Sequence, residues 1–213
     1  MKTLIAIPCM DTMHHAFVRS LLNLDKPAGT SVCIKPNSLV YDSRNLLAIT
    51  AFENDFDYVM WIDSDMTFGQ DTLNHLLADI QNTPGAEMVT TLCVQRTMPT
   101  RPVIYDRIGE PDLDENGQLI KSTNIYFPYP KDQIFPVEGC GFGCCITSVN
   151  LLRKVWDNYG PAFAPYNWAG EDVSFCYRVQ KLGYKIFCDS RIKCGHIGTY
   201  IYTDKLLEEG DDA

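Results

Sequence analysis

The chain alternates between short apolar runs and longer stretches in which apolar residues recur at helical spacing. The apolar runs predict β-strands at residues 3–8, 30–34, 58–62, 88–93 and 184–188, with a further extended piece at 192–196. The helically spaced stretches predict α-helices at residues 13–24, 39–53, 71–80, 149–156 and 171–182. Because strands and helices alternate through the first half, we expect an α/β protein with a mostly parallel central sheet flanked by helices.

Polar residues and glycines mark where some of these helices begin and end. Ser38 and Ser148 are candidate N-caps, because a serine hydroxyl accepts a hydrogen bond from an amide of the first turn. Gly183 follows the last predicted helix, and glycine is the residue type that most readily ends one.

The regular pattern breaks down between residues 96 and 136, where prolines are frequent and a turn sequence occupies 114–117. We expect a long irregular excursion, with or without a hairpin, that serves as a lid or wall of a binding site. The extended segment at 137–147 follows it and carries glycine at positions 139, 141 and 143. Glycines at alternate positions allow the backbone to approach a ligand or another strand closely.

Composition narrows the classes of function. Hydrophobic residues make up 46% of the 213 residues, which is enough for a sizeable core. The net charge of −9 disfavours nucleic acid as a partner, because no surplus of basic residues is present to replace the counterions of phosphates. No apolar run reaches the ~18 residues that a transmembrane helix needs, and an apolar strand occupies the place of a signal peptide. We therefore expect a cytoplasmic protein.

The nine cysteines lack the paired Cys-x2-Cys spacing of a structural zinc site. Several of them lie inside apolar runs, where a cysteine behaves as a small hydrophobic residue. We expect reduced and mostly buried thiols, with zinc binding as the alternative.

The strand predicted at 58–62 is followed directly by two carboxylates, Asp63 and Asp65. Its continuous apolar run is typical of a strand buried on both faces, and parallel sheets carry their sites beyond the carboxyl ends of such strands. Carboxylates at that place suit Mg²⁺ or Mn²⁺, with phosphate oxygens and water as the remaining ligands. The same two residues would also serve simply to end the strand and begin a turn.

Four features in this order resemble the GT-A-fold glycosyltransferases, particularly family-2-like enzymes and their small bacterial and phage relatives. They are Asp63-Ser64-Asp65, the glycine-rich segment at 139–143, Trp168-Ala-Gly-Glu-Asp172, and Cys194-Gly-His196. The resemblance covers residues 5–196 and is weakest across 96–136. It implies one Rossmann-like catalytic domain over 1–213, with a nucleotide-sugar half at 1–95, an acceptor half at 96–200 and a tail at 201–213.

On the donor side, the resemblance implies that Asp65 coordinates Mn²⁺ or Mg²⁺ on the diphosphate of a nucleotide-sugar, such as a UDP- or GDP-sugar. His196 completes the metal site, and Asp63 contacts the metal or the ribose. The other implied nucleotide-sugar contacts are Pro8, Cys9, Asp11, Arg44 and Ser64, of which Arg44 lies in a sequence like the family's A-R-N signature. A packed histidine and a solvated helix arginine are the alternatives for His196 and Arg44.

On the acceptor side, the resemblance implies that Asp172 takes the proton of the acceptor hydroxyl and that Glu171 contacts the acceptor. Gly141 and Phe142 lie beneath the acceptor, and Trp168 offers an aromatic face to the sugar. Glu171 and Asp172 also favour a helix N-terminus through its dipole, whatever else they do. A core tryptophan is the alternative for Trp168.

The expected function is that of a metal-dependent, inverting glycosyltransferase that transfers a sugar from a nucleotide-sugar to an acceptor hydroxyl. A nucleotide-sugar nucleotidyltransferase is one alternative, although the loop after the first strand lacks the long Gly-rich, basic sequence that closes over a triphosphate. The other alternative is a catalytically inactive carbohydrate- or nucleotide-binding protein of the same fold.

Overall fold

The computed structural model describes residues 1–36, 38–109, 112–113, 115–116, 119–120, 123–166, 169–198 and 201–206. The α-helices are α1 (His15–Asn23), α2 (Val40–Glu53), α3 (Thr72–Asn82), α4 (Val149–Tyr159) and α5 (Glu171–Lys181). The first strands are β1 (Thr3–Pro8), β2 (Thr30–Lys35), β3 (Tyr58–Ile62), β4 (Met66–Thr67), β5 (Ala86–Leu92), β6 (Ile104–Ile108), β7 (Asp112–Leu113) and β8 (Leu119–Ile120). The later strands are β9 (Thr123–Ile125), β10 (Ile134–Val137), β11 (Gly139–Cys140), β12 (Cys144–Ser148), β13 (Lys185–Lys193), β14 (Gly195–Ile197) and β15 (Ile201–Tyr202).

In the described part of the chain, a seven-stranded sheet runs in the order β10-β13-β5-β12-β3-β1-β2. Strands β13, β5, β3, β1 and β2 point in one direction, and β12 and β10 point in the other. The predicted mostly parallel α/β sheet is therefore confirmed. Strand β3 lies inside it, between parallel β1 and antiparallel β12.

Helices cover the two faces of the sheet. Alternate residues of β3 point to opposite sides, so that Val59 and Trp61 pack against α2, α4 and α5 while Met60 and Ile62 pack against α1 and α3. All four of these side chains are fully buried. Burial on both faces explains why the strand reads as a continuous apolar run.

Two of the three predicted helix boundaries that depend on a single residue are confirmed. The Ser148 hydroxyl accepts a hydrogen bond from the Leu151 amide at 2.9 Å and caps α4. Gly183 has φ 79° just past α5, a left-handed conformation that glycine adopts without steric cost. Ser38 as an N-cap is wrong: Leu39 precedes α2 without a side-chain cap, because the Ser38 hydroxyl instead bonds the Ser43 hydroxyl at 2.5 Å.

The excursion at 96–136 contains more regular structure than its prolines indicate. Strands β6 and β9 of the excursion form a small antiparallel sheet with β11, which follows the excursion, and β7 pairs antiparallel with β8. These strands are only two to five residues long, which is too short for a periodic pattern to show. No described helix is long and apolar enough to cross a membrane, and the acidic tail at 207–213 lies outside the described residues.

The prediction of mostly buried cysteines is confirmed. All nine are free, and each is buried except Cys33, which is half-buried. Burial raises the pKa of Cys145 and of Cys188 well above the usual value, so these thiols are poorly disposed to react.

Asp79 of α3 and Asp189 of β13 are linked through the guanidinium of Arg191. Arg191 donates to Asp79 at 3.0 Å and to Asp189 at 2.8 Å. The Oδ2 atom of Asp79 is buried with no hydrogen-bond partner in the described residues, and the carboxyl group of Asp79, when protonated, can donate a hydrogen bond to Asp189. Burial, followed by the Asp189 carboxylate, raises the pKa of Asp79 to about 7.

We expect the free energy of unfolding to fall between about pH 4 and pH 7 because of Asp79. A carboxyl group whose pKa is raised by folding stabilises fully only below its unfolded value near 4, and this contribution is lost as the pH rises through about 7. Asp79→Asn should flatten the dependence, since its amide donates to Asp189 at every pH. Urea denaturation at a series of pH values measures this, with Asp157→Asn at an exposed position of α4 as control. A variant with the same pH profile as the wild type would contradict the assignment.

Candidate active site

The carboxyl ends of β1 and β3 open into a cavity of about 220 Å³, which the first turns of α2 and α5 complete. The residues that line it are Pro8, Cys9, Met10, Ser38, Val40, Ser43, Arg44, Asp63, Ser64, Asp65, Phe142, Glu171 and Asp172. The fold therefore brings most of the predicted donor-side and acceptor-side residues to one place.

The remaining predicted residues lie around this cavity or outside the described structure. His196 contacts Asp65 at the rim, and Gly141 lies beneath Asp172. Asp11 is exposed and is not among the lining residues. Trp168 lies outside the described residues.

Arg44 is the centre of the charge arrangement. Its side chain is only 2% exposed, and its Nη2 donates to Asp63 Oδ1 at 2.7 Å while Nε lies 3.7 Å from Glu171 Oε1. The guanidinium carbon lies 4.9 Å from the centre of the Phe142 ring. The alternative of a solvated helix arginine is therefore wrong, because the first turn of α2 directs Arg44 into the protein.

Two donors of Arg44, Nε and Nη1, are buried without a hydrogen-bond partner in the described structure. Burial acts to lower the pKa of Arg44, but the carboxylates of Asp63 and Glu171 outweigh it and raise the pKa. The guanidinium therefore stays charged in a wall of the cavity, and its Nε and Nη1 groups remain able to donate hydrogen bonds. Such donors suit an anionic ligand.

Asp63 is the carboxylate that pairs with Arg44. Its amide donates to Gly143 O at 3.0 Å, which ties the end of β3 to the start of β12. Burial raises the pKa of Asp63 to about 6, although Arg44 acts to lower it. The side chain keeps 32% of its surface exposed, and this part is open to the cavity.

Asp65 has a different set of neighbours. Arg96 donates to its Oδ2 at 2.9 Å, and His196 Nε2 lies 3.4 Å from the same oxygen. Burial raises the pKa of Asp65, but His196 and then Arg96 outweigh it, so that the net shift is downward. Pairing of β14 with β4 holds His196 beside this carboxylate.

The orientation of His196 fits a cation between it and Asp65. Its Nδ1 lies 2.8 Å from Val94 O, and because a carbonyl only accepts, Nδ1 carries the hydrogen. The Nε2 of the neutral ring then points a lone pair toward the Asp65 carboxylate, and a proton or a metal ion between them would satisfy both. This is the arrangement of many metal-binding histidines.

No group of three or more His, Cys, Asp or Glu side chains that could hold an ion occurs within the described ranges. Asp65 and His196 lie together, whereas Asp63 is engaged by Arg44. Mg²⁺ is commonly bound by one or two carboxylates, with substrate phosphates and water supplying the rest. Asp65, with the His196 ring beside it, fits a divalent ion that takes its other ligands from phosphate and water.

Asp172 and Glu171 line the cavity from the first turn of α5. Asp172 Oδ1 accepts from the Val173 amide at 2.7 Å, so the helix N-terminus does stabilise this carboxylate. Burial, followed by the charge of Glu171, nevertheless raises the pKa of Asp172. A carboxylate with a raised pKa in a cavity is suited to take up a proton.

Gly170 makes room for the Asp172 carboxylate, because a Cβ atom at this position would lie 2.9 Å from Oδ1. A Cβ atom at Gly141 would lie 3.6 Å from Oδ2, which is an ordinary contact, but only 2.7 Å from Val103 Cγ1. The close approach of Val103 therefore explains the glycine at 141 within the glycine-rich segment.

Met10 lies within the loop at 8–11, for which the resemblance implies nucleoside contacts. Sequence reasoning missed Ser38, Val40, Ser43 and Arg96 as site residues. Each of the first three is close in sequence to the predicted residue Arg44, which is the signal that could have found it. Arg96 had no such signal, because its partner Asp65 lies 31 positions away.

Comparison with known proteins supports the fold. No protein-family model matches the chain, and no curated protein matches it in sequence. The crystal structure of A197 from STIV is similar with a TM-score of 0.68 and 17% identity, covering 100% of this chain and 96% of that one. GalNAc-T7, solved with UDP, GalNAc and Mn²⁺, is similar with a TM-score of 0.59 and 11% identity, covering 99% of this chain and 45% of that one. The chain has a glycosyltransferase-like GT-A fold.

These likenesses confirm the predicted fold class, a single mixed α/β domain of the GT-A type. At 17% and 11% identity, these likenesses support only the fold, and any role of an individual residue has to be argued from the geometry of the cavity.

We expect Arg44→Met to lower the free energy of unfolding by about 3 kcal/mol, because it leaves the partly buried carboxylates of Asp63 and Glu171 without their counter-charge. Arg153→Met is a matched control: Arg153 also lies over a phenylalanine ring, 4.7 Å from the centre of Phe52, but its side chain is exposed. That control should change the free energy by about 1 kcal/mol or less. Equal losses in the two variants, measured by urea denaturation, would show that Arg44 is not the charge centre of the site.

Proposed function

We propose that the protein is a metal-dependent, inverting glycosyltransferase that transfers a sugar from a nucleotide-sugar to an acceptor hydroxyl. The observation that carries the proposal is that one cavity of the GT-A-like fold is lined by both Asp65 and Asp172. His196 contacts Asp65 at the rim of this cavity. Residues 1–95 supply most of the donor side, and residues 96–200 supply the acceptor side.

The donor would bind at the carboxyl ends of β1 and β3. Pro8 and Cys9 line that end of the cavity and would contact the nucleoside, and Asp63 and Ser64 line the floor beside them. The unpaired donors of Arg44 would bond to an anionic oxygen of the nucleotide. UDP in the GalNAc-T7 structure makes a UDP-sugar the first donor to test, and a GDP-sugar the second.

The metal site would lie at Asp65 and His196, which would hold Mn²⁺ or Mg²⁺ against the diphosphate. When bound, the ion would neutralise the charge that builds on the leaving nucleoside diphosphate. The Val94 carbonyl fixes His196 in the tautomer that leaves Nε2 free to act as a ligand. Mn²⁺ in the GalNAc-T7 structure supports the choice of ion for this fold.

The acceptor would bind above Gly141 and Phe142, with its hydroxyl at Asp172. Asp172 would take the hydroxyl proton as the oxygen attacks the anomeric carbon, on the face opposite the leaving diphosphate. Glu171 would hold the acceptor and sustain the raised pKa of Asp172. A single displacement of this kind inverts the configuration at the anomeric carbon.

We expect Mn²⁺ to be required for tight binding of UDP or GDP, as measured by calorimetry with Mn²⁺ and with EDTA. Asp65→Ala should weaken the metal-dependent binding by about 100-fold or more, because it removes the carboxylate that faces His196. Asp71→Ala, at an exposed carboxylate outside the cavity, is the control. Equal affinity with Mn²⁺ and EDTA would remove the metal from the proposal and leave the fold unchanged.

Asp172→Asn should lower kcat by about 100-fold or more while donor affinity stays near that of the wild type, because an amide cannot take up a proton. Glu171→Gln should change the acceptor KM more than kcat. Both are measured by steady-state kinetics with the donor and acceptor found by screening. NMR of the product should show a β linkage from an α-linked donor.

Retained configuration, or a normal kcat for Asp172→Asn, would contradict the assigned base. The leaving product separates the proposal from its alternatives: a nucleoside diphosphate is expected, whereas free diphosphate would indicate nucleotidyl transfer. Metal-dependent nucleotide binding without any turnover would indicate a binding protein.

A further inference from the structure

Arg96 is a charged residue at the cavity rim to which the proposed reaction gives no role. Its Nη1 lies 2.9 Å from Asp65 Oδ2, the same oxygen that His196 Nε2 faces at 3.4 Å. A guanidinium therefore occupies a position at Asp65 that a divalent ion bound to this oxygen would need.

The backbone around Arg96 is held by a compact turn. The Gln95 amide donates to Arg101 O at 2.8 Å, and the Thr100 hydroxyl donates to Gln95 O at 2.7 Å. The Arg96 side chain, by contrast, is 51% exposed, so it can leave Asp65 without disturbing the core. Because its backbone is held in place while its side chain is exposed, Arg96 can exchange Asp65 for another anionic partner.

We propose that Arg96 is a built-in competitor for the metal: it neutralises Asp65 in the ion-free protein and leaves Oδ2 when a divalent ion binds. The inference rests on the proposed metal site at Asp65 and His196. A guanidinium and a divalent cation repel each other, so they do not share one carboxylate oxygen. The released guanidinium then lies at the rim beside the bound diphosphate, whose oxygens it can bond in a forked geometry.

Two consequences follow for binding. The metal alone binds weakly, because it must displace Arg96 from Asp65. The metal and a nucleoside diphosphate bind with positive coupling, because the diphosphate gives Arg96 a new anionic partner, and this coupling is the same whichever ligand binds first. Arg96 thereby favours the metal–nucleotide complex over either ligand alone.

The test measures Mn²⁺ binding by electron paramagnetic resonance of the free ion, with and without UDP. Arg96→Gln should bind Mn²⁺ alone about fivefold more tightly than the wild type, which corresponds to the upper range for an exposed ion pair. Its coupling between Mn²⁺ and UDP should be smaller. Arg96→Lys keeps the charge and should stay near the wild type.

Arg107→Gln is the matched control, because Arg107 is an exposed residue of β6 in the same excursion and its loss makes the same change in net charge. It should bind Mn²⁺ like the wild type. Thermal melts of all variants check that each is folded.

The possible results separate this inference from the function on which it rests. If the wild type binds Mn²⁺ with UDP but Arg96→Gln binds Mn²⁺ alone no more tightly than the wild type, the inference is wrong and the metal site stands. An equal gain in Mn²⁺ affinity for Arg107→Gln would show that the gain comes from the change in net charge, and this result would also overturn the inference about Arg96. Failure of every protein to bind Mn²⁺, with or without UDP, would overturn both.

Discussion

The guanidinium of Arg44 links parts of the chain that are far apart in sequence. It reaches from the first turn of α2 to Asp63 at the end of β3 and to Glu171 at the start of α5. A charge as buried as this one is strongly unfavourable unless its partners are held in place. The relative positions of α2, β3 and α5, and with them the shape of the cavity, therefore depend on this one group.

A cluster of aromatic rings supports Arg44 from below. Phe142 and Phe163 lie edge to face with centres 5.2 Å apart, and Phe163 stacks on Phe175 at 4.9 Å. Trp61 packs against Phe163 and donates to the Thr147 hydroxyl at 2.9 Å. Rings packed in this way leave few alternative rotamers, so the charged groups above them rest on a rigid floor.

The two carboxylates of Asp63-Ser64-Asp65 have become different in the folded protein. Asp63 faces Arg44 in the cavity, and burial raises its pKa to about 6. Asp65 faces His196 and Arg96, and these groups outweigh burial and lower its pKa. When the surroundings of two neighbouring carboxyl groups shift their pKa values in opposite directions, the two groups are suited to different roles. Here Asp63 is paired with Arg44, whereas Asp65 lies beside His196 and Arg96.

Local patterns in the sequence were sufficient to predict most of the strands of the central sheet and the helices that flank them. They also predicted that Asp63 and Asp65 follow the end of a strand and that Glu171 and Asp172 begin a helix. Strand β3 is apolar because it is buried on both faces, and a carboxylate pair after such a strand has only one edge of the sheet to occupy. The Ser148 hydroxyl could be predicted as a helix cap because this interaction is local: its partner, the Leu151 amide, is three residues away.

The tertiary structure alone decided the direction of β12, the small sheet of β6, β9 and β11, and the partners of Arg44 and Arg96. Strand β12 is antiparallel to β3 through pairs such as Cys145 with Trp61, and no local pattern records which strand a segment will join. Arg44 became buried, and Arg96 paired with Asp65, only when elements distant in sequence were packed together. The sequence determined which chemical groups reach the edge of the sheet, and long-range packing determined which of them face each other.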